Sequence, residues 1–106
     1  FPPRIEYIGF QAEGCVFDDA APFGGALAGA HKLWRGTMPE KLNATCTTDI
    51  RFPNLYYNIP ATCYGPKAGN IHGVDEWVSI NSMQRVTEVM VSLIQEWCGL
   101  QKKGAG

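Results

Sequence analysis

The residue whose neighbours best suit it for chemistry is His72, one of the two histidines in the chain. It follows a turn rich in glycine and proline and precedes two carboxylates, Asp75 and Glu76. A neutral imidazole in such a loop can bind zinc, and a nearby carboxylate can orient its second nitrogen. Because one histidine cannot hold a metal, spacing alone leaves both a ligand and an ordinary loop histidine open. His31 lies near the apolar side of a predicted helix, and we interpret it as a core or edge residue.

The segment at residues 47–51, which reads TTDIR, is the second candidate for chemistry. The planar guanidinium of Arg51 can bind a substrate carboxylate through two hydrogen bonds. Alternatively, the threonines cap a helical turn and Asp49 forms a local salt bridge with Arg51. A third hypothesis pairs the thiol of Cys63 with His72 as a cysteine nucleophile. A cysteine inside an apolar strand is more often a core residue.

Charge and motifs exclude several other classes of function. With 9 basic and 10 acidic side chains the net charge is −1, so we expect no binding to nucleic acid or to an anionic membrane. The sequence contains no serine-hydrolase elbow, no H-E-x-x-H motif, no P-loop and no dinucleotide fingerprint. Its four cysteines form no C-x-x-C pair, which favours buried or half-buried free thiols and a cytoplasmic location.

The first predicted elements are a strand and a helix. Residues 4–13 alternate imperfectly between the two faces and are bounded by prolines and a glycine, which predicts a strand. Asp18 and Asp19 can cap the following helix, and Pro22 suits its first turn. Gly36 ends this helix, in which the following residues recur at helical intervals: Phe23, Leu27, Ala30, His31 and Trp34.

The rest of the chain predicts two more strands and a long helix. Residues 42–50 and 59–64 are the predicted strands, and residues 51–58 form a loop or a single helical turn. Asn81 and Gln84 have the spacing of a capping box. The last helix then presents one apolar stripe and ends before Gly99; the stripe contains Met83, Val86, Met90, Leu93, Ile94 and Trp97.

The predicted order of strand, helix, strand, strand and helix indicates an α/β or α+β fold. Two helices and three or four strands are too few to cover both faces of an α/β layer structure. We therefore expect the chain to be part of a larger domain. Because it begins with Phe1 next to a predicted strand, we interpret it as a cleaved or excerpted segment.

Three blocks of the sequence, taken in order, resemble a known family: residues 47–51 (TTDIR), 59–66 (IPATCYGP) and 70–76 (NIHGVDE). They are similar to the C-terminal portion of the acetylornithine deacetylase, succinyl-diaminopimelate desuccinylase and aminoacylase group of metallopeptidases. The resemblance implies an α/β fold in two parts. Residues 1–17 resemble the last strand and exit of an α+β lid domain that dimerises, and residues 18–106 resemble the C-terminal part of a zinc-peptidase-like catalytic domain.

The resemblance also implies a site and a reaction. In the family, two zinc ions bridged by a water and an aspartate hydrolyse an N-acyl amino acid or a peptide-like amide; cobalt or manganese suits a histidine equally well. By position, His72 matches the family's C-terminal zinc-binding histidine. Asp49 and Arg51 match the segment that lines the substrate end of the cleft, and Gly69 and Asn70 match the loop where backbone groups approach the substrate.

The remaining metal ligands and the catalytic glutamate of the family belong to earlier sequence. We therefore expect no catalytic residue in this chain, which should be inactive without the remainder of its catalytic domain and, through the lid, should form a homodimer. The alternative from a different class is a small non-catalytic α/β module that associates with itself through an exposed strand.

Overall fold

Two helices, α1 (Pro22–Arg35) and α3 (Ile80–Cys98), dominate the fold of this chain. The structure is a computed structural model that describes residues 1–102 and 104. Between the two helices lie the short helix α2 (Arg51–Tyr56) and the strands β1 (Ala68–Gly69) and β2 (Trp77–Val78), which pair antiparallel. The predicted catalytic-domain segment also includes residues 103, 105 and 106, which lie outside the described residues.

The predicted bounds of helix α1 are confirmed, but its predicted N-terminal cap is wrong. Pro22 is its first residue, and Gly36 ends it with φ 76° and an N–H that donates to the Lys32 carbonyl. The predicted aspartate cap is wrong, because the N-cap is Ala21 and no side chain caps the helix. The Asp18 carboxylate instead accepts from the N–H of Ala20, in the turn before the helix.

Helix α3 begins from Ser79, whose hydroxyl accepts from the N–H of Ser82 at 3.2 Å. The predicted capping box from Asn81 to Gln84 is therefore wrong. An N-cap residue needs extended backbone, and Ser79 has it (φ −79°, ψ 114°), whereas Asn81 already lies in the first helical turn. Gly99 follows the helix with φ 75°, as predicted.

The core is the contact between α1 and α3. Its buried residues are two from each helix: Leu27, Ala30, Val89 and Leu93. Val89 is 0% exposed but was not in the predicted stripe, whereas Met83 and Ile94, which were, are 46% and 56% exposed. Apolar residues occur on several sides of α3, so periodicity alone could not decide which side faces α1. Trp97 does contact α1, because its ring lies edge-on to Phe23 at 5.3 Å.

The strands predicted over residues 4–13, 42–50 and 59–64 are wrong, because none forms a ladder in the part of the chain that is described. A strand exists only with a hydrogen-bonded neighbour, and the ladder seen among residues 1–102 and 104 joins β1 to β2. Residues 4–13 are exposed throughout. What remains of the fold-class prediction is a combination of helices with a small sheet, which is compatible with a fragment of an α/β domain.

Asn54 fixes the segment that follows α2. Its amide nitrogen donates to the carbonyls of Ile50 at 2.9 Å and Ala61 at 2.7 Å, and its amide oxygen accepts from the N–H of Ala61 at 3.0 Å. The side chain thus takes the place of a neighbouring strand for one residue of the extended segment 59–64. Helix α2 itself confirms the single helical turn, one of the two structures expected for residues 51–58.

Much apolar surface is left uncovered by this core. The radius of gyration is 18.2 Å, against about 13 Å for a compact chain of this length. Large apolar side chains are exposed along residues 1–17 and on α3, among them Ile5, Tyr7, Ile8, Phe10, Val91 and Ile94. No helix in the described part of the chain combines the length and apolar character needed to cross a bilayer.

We expect Leu93→Ala to lower the free energy of unfolding by about 2–4 kcal/mol, because it leaves a cavity between the two helices. The matched control is Ile94→Ala, the next residue and largely exposed, which should cost about 0.5 kcal/mol or less. Urea unfolding followed by far-ultraviolet circular dichroism measures both. Equal losses from the two variants would show that α3 does not pack on α1 by this face.

Candidate functional site

His72 lies in the loop at residues 70–76, which we call the hairpin loop because it joins β1 to β2. The two strands are held in register by the pairs Ala68 with Val78 and Gly69 with Trp77. Within the loop, the N–H of Gly73 donates to the Asn70 carbonyl at 2.7 Å. The sequence around the histidine therefore folds as a tight turn on a short hairpin.

Three residues of the hairpin loop have left-handed backbone without being glycine. Their φ angles are 53° for Asn70, 63° for His72 and 56° for Asp75. Asparagine, aspartate and histidine adopt this region more often than other non-glycine residues, each at a cost of about 1 kcal/mol or more. Such strain persists where surrounding structure imposes it, and it is concentrated at ligand and active sites.

The side chain of His72 is exposed, and its surroundings differ from the prediction. The Glu76 carboxylate accepts from the backbone N–H of His72 at 3.5 Å, not from the imidazole. Asp75 offers its backbone carbonyl to the amide nitrogen of Asn70 at 3.4 Å. In the described structure neither carboxylate hydrogen-bonds to the imidazole of His72, which is exposed.

Gly69 and Trp77 explain why the residue at the base of the hairpin loop is glycine. The Trp77 indole lies so close to the backbone of Gly69 that a Cβ there would be 2.6 Å from Nε1. That separation is far below van der Waals contact, so a larger residue would displace the ring. Gly69 therefore lies at the base of the same hairpin that carries Asn70 and His72.

Asp49 and Arg51 lie apart from this unit, in the turn before α2 and at the first residue of α2. The predicted local salt bridge between them is wrong, because Arg51 Nη1 donates to the Thr48 carbonyl at 3.1 Å. The guanidinium also lies over the ring of Phe52, 4.4 Å from its centre, and 5.6 Å from that of Phe10. The threonine cap is wrong as well, since the N-cap of α2 is Ile50 without a side-chain bond. Among the described residues no hydrogen bond connects these side chains to the hairpin loop.

A complete metal site is not found within residues 1–102 and 104, where no three histidine, cysteine, aspartate or glutamate side chains converge. Zinc requires at least three protein ligands. The described residues thus do not by themselves fit a bound metal ion, and His72 can be at most one ligand of a site completed elsewhere.

The four cysteines are free thiols, as predicted, but they are not buried. Cys15 is half-buried, and the other three cysteines are exposed. Cys63 was expected in the core, and that prediction is wrong. The segment containing Cys63 is not a sheet strand, so nothing covers its outer side. In the described structure no hydrogen bond joins Cys63 to His72, and the cysteine-nucleophile hypothesis gains no support from the geometry.

Sequence reasoning missed a polar pair formed by His31 and Tyr64. The Nδ1 atom of His31 lies 2.8 Å from the Tyr64 hydroxyl. Burial, and secondarily the positive charge of Arg35, lower the pKa of His31, and burial raises the pKa of Tyr64. The helical spacing had indicated a core or edge position for His31, which is half-buried, but no pattern linked it to a tyrosine so distant in sequence.

Residues 4–96, nearly the whole chain, match the family described as Peptidase family M20/M25/M40. The chain belongs to this family, whose members are generally metal-dependent peptidases. No curated protein matches the chain.

We expect Gly69→Ala to disturb the hairpin, because the added Cβ would collide with the Trp77 indole. In heteronuclear NMR spectra the indole N–H resonance of Trp77 should shift, while those of Trp34 and Trp97 stay in place. The matched control is Gly25→Ala in α1, where a Cβ meets nothing within 4 Å, and which should stabilise the helix by up to about 1 kcal/mol. An unmoved Trp77 resonance would contradict the close packing of ring on glycine.

Proposed function

We propose that this chain is the C-terminal part of a zinc-dependent amidohydrolase, in which His72 is a metal ligand. The enzyme would hydrolyse an N-acyl amino acid or a peptide-like amide, as enzymes of the acetylornithine deacetylase, desuccinylase and aminoacylase group do. The observation that carries the proposal is the family match over residues 4–96, together with the exposed imidazole on a strained loop. Cobalt or manganese is an alternative metal, since a histidine ligand suits each.

The environment of His72 supports its role as a ligand. A ligand must have a free ring nitrogen and a fixed position, and the hairpin loop provides both. Its imidazole is exposed, and the loop backbone is held by the Gly73 N–H, the Asn70 amide and the Glu76 carboxylate. The other ligands would come from the remainder of the catalytic domain, and this chain alone should be inactive.

The proposed substrate contacts are Gly69, Asn70, Asp49 and Arg51. Only Nη1 of Arg51 has a hydrogen-bond partner among the described residues. The other guanidinium N–H groups can therefore donate to a substrate carboxylate. The two aromatic rings fix the plane of that guanidinium. The Trp77 indole packs on Gly69 where a side chain would be, so Gly69 would meet the substrate through its backbone polar groups, beside Asn70 and the metal ligand.

The uncovered apolar surface supports the proposed partners. The remainder of the catalytic domain would cover the exposed side chains of α3, such as Val91 and Ile94. Residues 1–17 would belong to the lid domain, through which we propose a homodimer, and residues 18–106 to the catalytic domain. Four free thiols favour the cytoplasm.

Self-association without catalysis is the second candidate function, and one observation favours it. Residues 4–13 have exposed backbone and apolar side chains on both sides of the chain, including Ile5, Ile8 and Phe10. Such a segment can pair with a second copy of itself. If the native protein sediments as a dimer, hydrolyses no N-acyl amino acid and contains no metal, self-association would be favoured over the enzyme.

In the longer protein that supplies the missing ligands, we expect His72→Ala to lower kcat/KM for an N-acyl amino acid more than about 100-fold. Bound zinc, measured by elemental mass spectrometry, should fall in parallel, because a ligand is lost. The matched control is Cys63→Ser, which should retain both metal and turnover. Normal zinc content with normal turnover in His72→Ala would refute the assignment.

The gene provides an independent check of the same proposal. Codons upstream of Phe1 should encode the His-x-Asp pair and the Glu-Glu pair that the family uses. Iodoacetamide should leave hydrolysis intact and a chelator should abolish it. The opposite pattern, together with loss of hydrolysis in Cys63→Ser, would favour Cys63 as a nucleophile.

A further inference from the structure

A cleft lies at the base of the hairpin, and its lining does not include His72. It takes no part in the proposed metal site. Its volume is about 520 Å³. His31 and Arg35 of α1 form one wall, Tyr64 and Lys67 of the segment leading to β1 form the second, and Arg85 of α3 forms the third. We call it the basal cleft.

The charges that line the basal cleft are unbalanced. Three cations, Arg35, Lys67 and Arg85, face one carboxylate, Glu40. The ion pairs seen in the described residues join other groups, Arg4 with Glu6 and Lys41 with Asp19. Three separate elements thus bring positive charge to one space, and their mutual repulsion falls when an anion lies among them.

The polar groups between these cations are also suited to donate hydrogen bonds. Ser82 Oγ already accepts from the backbone N–H of Lys67 at 2.8 Å, which leaves its own O–H to donate. The amide of Asn81 also lines the cleft. The pKa of His31 is lowered chiefly by burial and secondarily by the charge of Arg35.

We propose that the basal cleft binds a small oxyanion, a phosphate or carboxylate group, through Arg35, Arg85 and Lys67. Guanidinium groups match the spacing of oxygens in both anions and bind them by charge-assisted hydrogen bonds. The site does not depend on metal or on the missing ligands, so it can be tested on this chain and can fail without affecting the proposed enzyme.

The test is titration of the full 106-residue chain with inorganic phosphate at neutral pH, followed by NMR, at constant ionic strength because exposed charges are screened by salt. We expect saturable shifts at His31 and Tyr64 with a millimolar Kd. Arg35→Gln and Arg85→Gln should each weaken binding about tenfold, the loss of one charge-assisted hydrogen bond. Lys32→Gln is the matched control: it removes the same charge from α1 but does not line the cleft, and it should leave Kd unchanged.

Acetate in place of phosphate distinguishes the two sources of the oxyanion: tighter acetate binding assigns a carboxylate, and tighter phosphate binding assigns a phosphate. Sulfate, whose charge is constant, should raise the pKa of His31 because it favours the imidazolium. Non-saturating shifts, or equal weakening by Lys32→Gln and Arg35→Gln, would overturn the proposal. So would a pKa of His31 that sulfate leaves unchanged.

Discussion

The contact between α1 and α3 is the constraint on which the rest of this structure depends. Val89 and Leu93 pack on Leu27 and Ala30, and these are the buried residues of the described chain. Tyr64 also packs against this core, so the segment leading into β1 is held by the same contact. Because β2 runs directly into α3, both strands of the hairpin are attached to the helix pair, and the position of His72 follows from it.

The sequence was informative where a local signal has one meaning. Gly36 and Gly99 end helices because only a residue that tolerates positive φ fits there. The hairpin that carries Gly69, Asn70 and His72 is equally local, since close neighbours in sequence must lie together. Its backbone strain was not predictable, because asparagine, histidine and aspartate also occur in ordinary turns.

Signals that depend on distant partners were misleading. The alternation in residues 4–13 and the threonine-rich residues 42–50 describe segments able to form strands, but a strand needs a neighbour that the described chain lacks. The same limit applied to α3. The burial of Val89 and the exposure of Ile94 could be told apart only once the position of α1 was known. Arg51 contacts aromatic rings, and His31 contacts the hydroxyl of a tyrosine. No spacing rule in sequence predicts such contacts.

Ser79 belongs to two structures at once, and this has a mechanical consequence. Its N–H donates to the Lys67 carbonyl beside the hairpin ladder, while its hydroxyl caps α3. No flexible linker separates the hairpin from α3. Helix α3 is about 28 Å long at 1.5 Å per residue, and the hairpin that carries His72 is attached to its first turn. The packing of Trp97 on Phe23 at the far end of α3 therefore helps to set the orientation of the hairpin that carries His72.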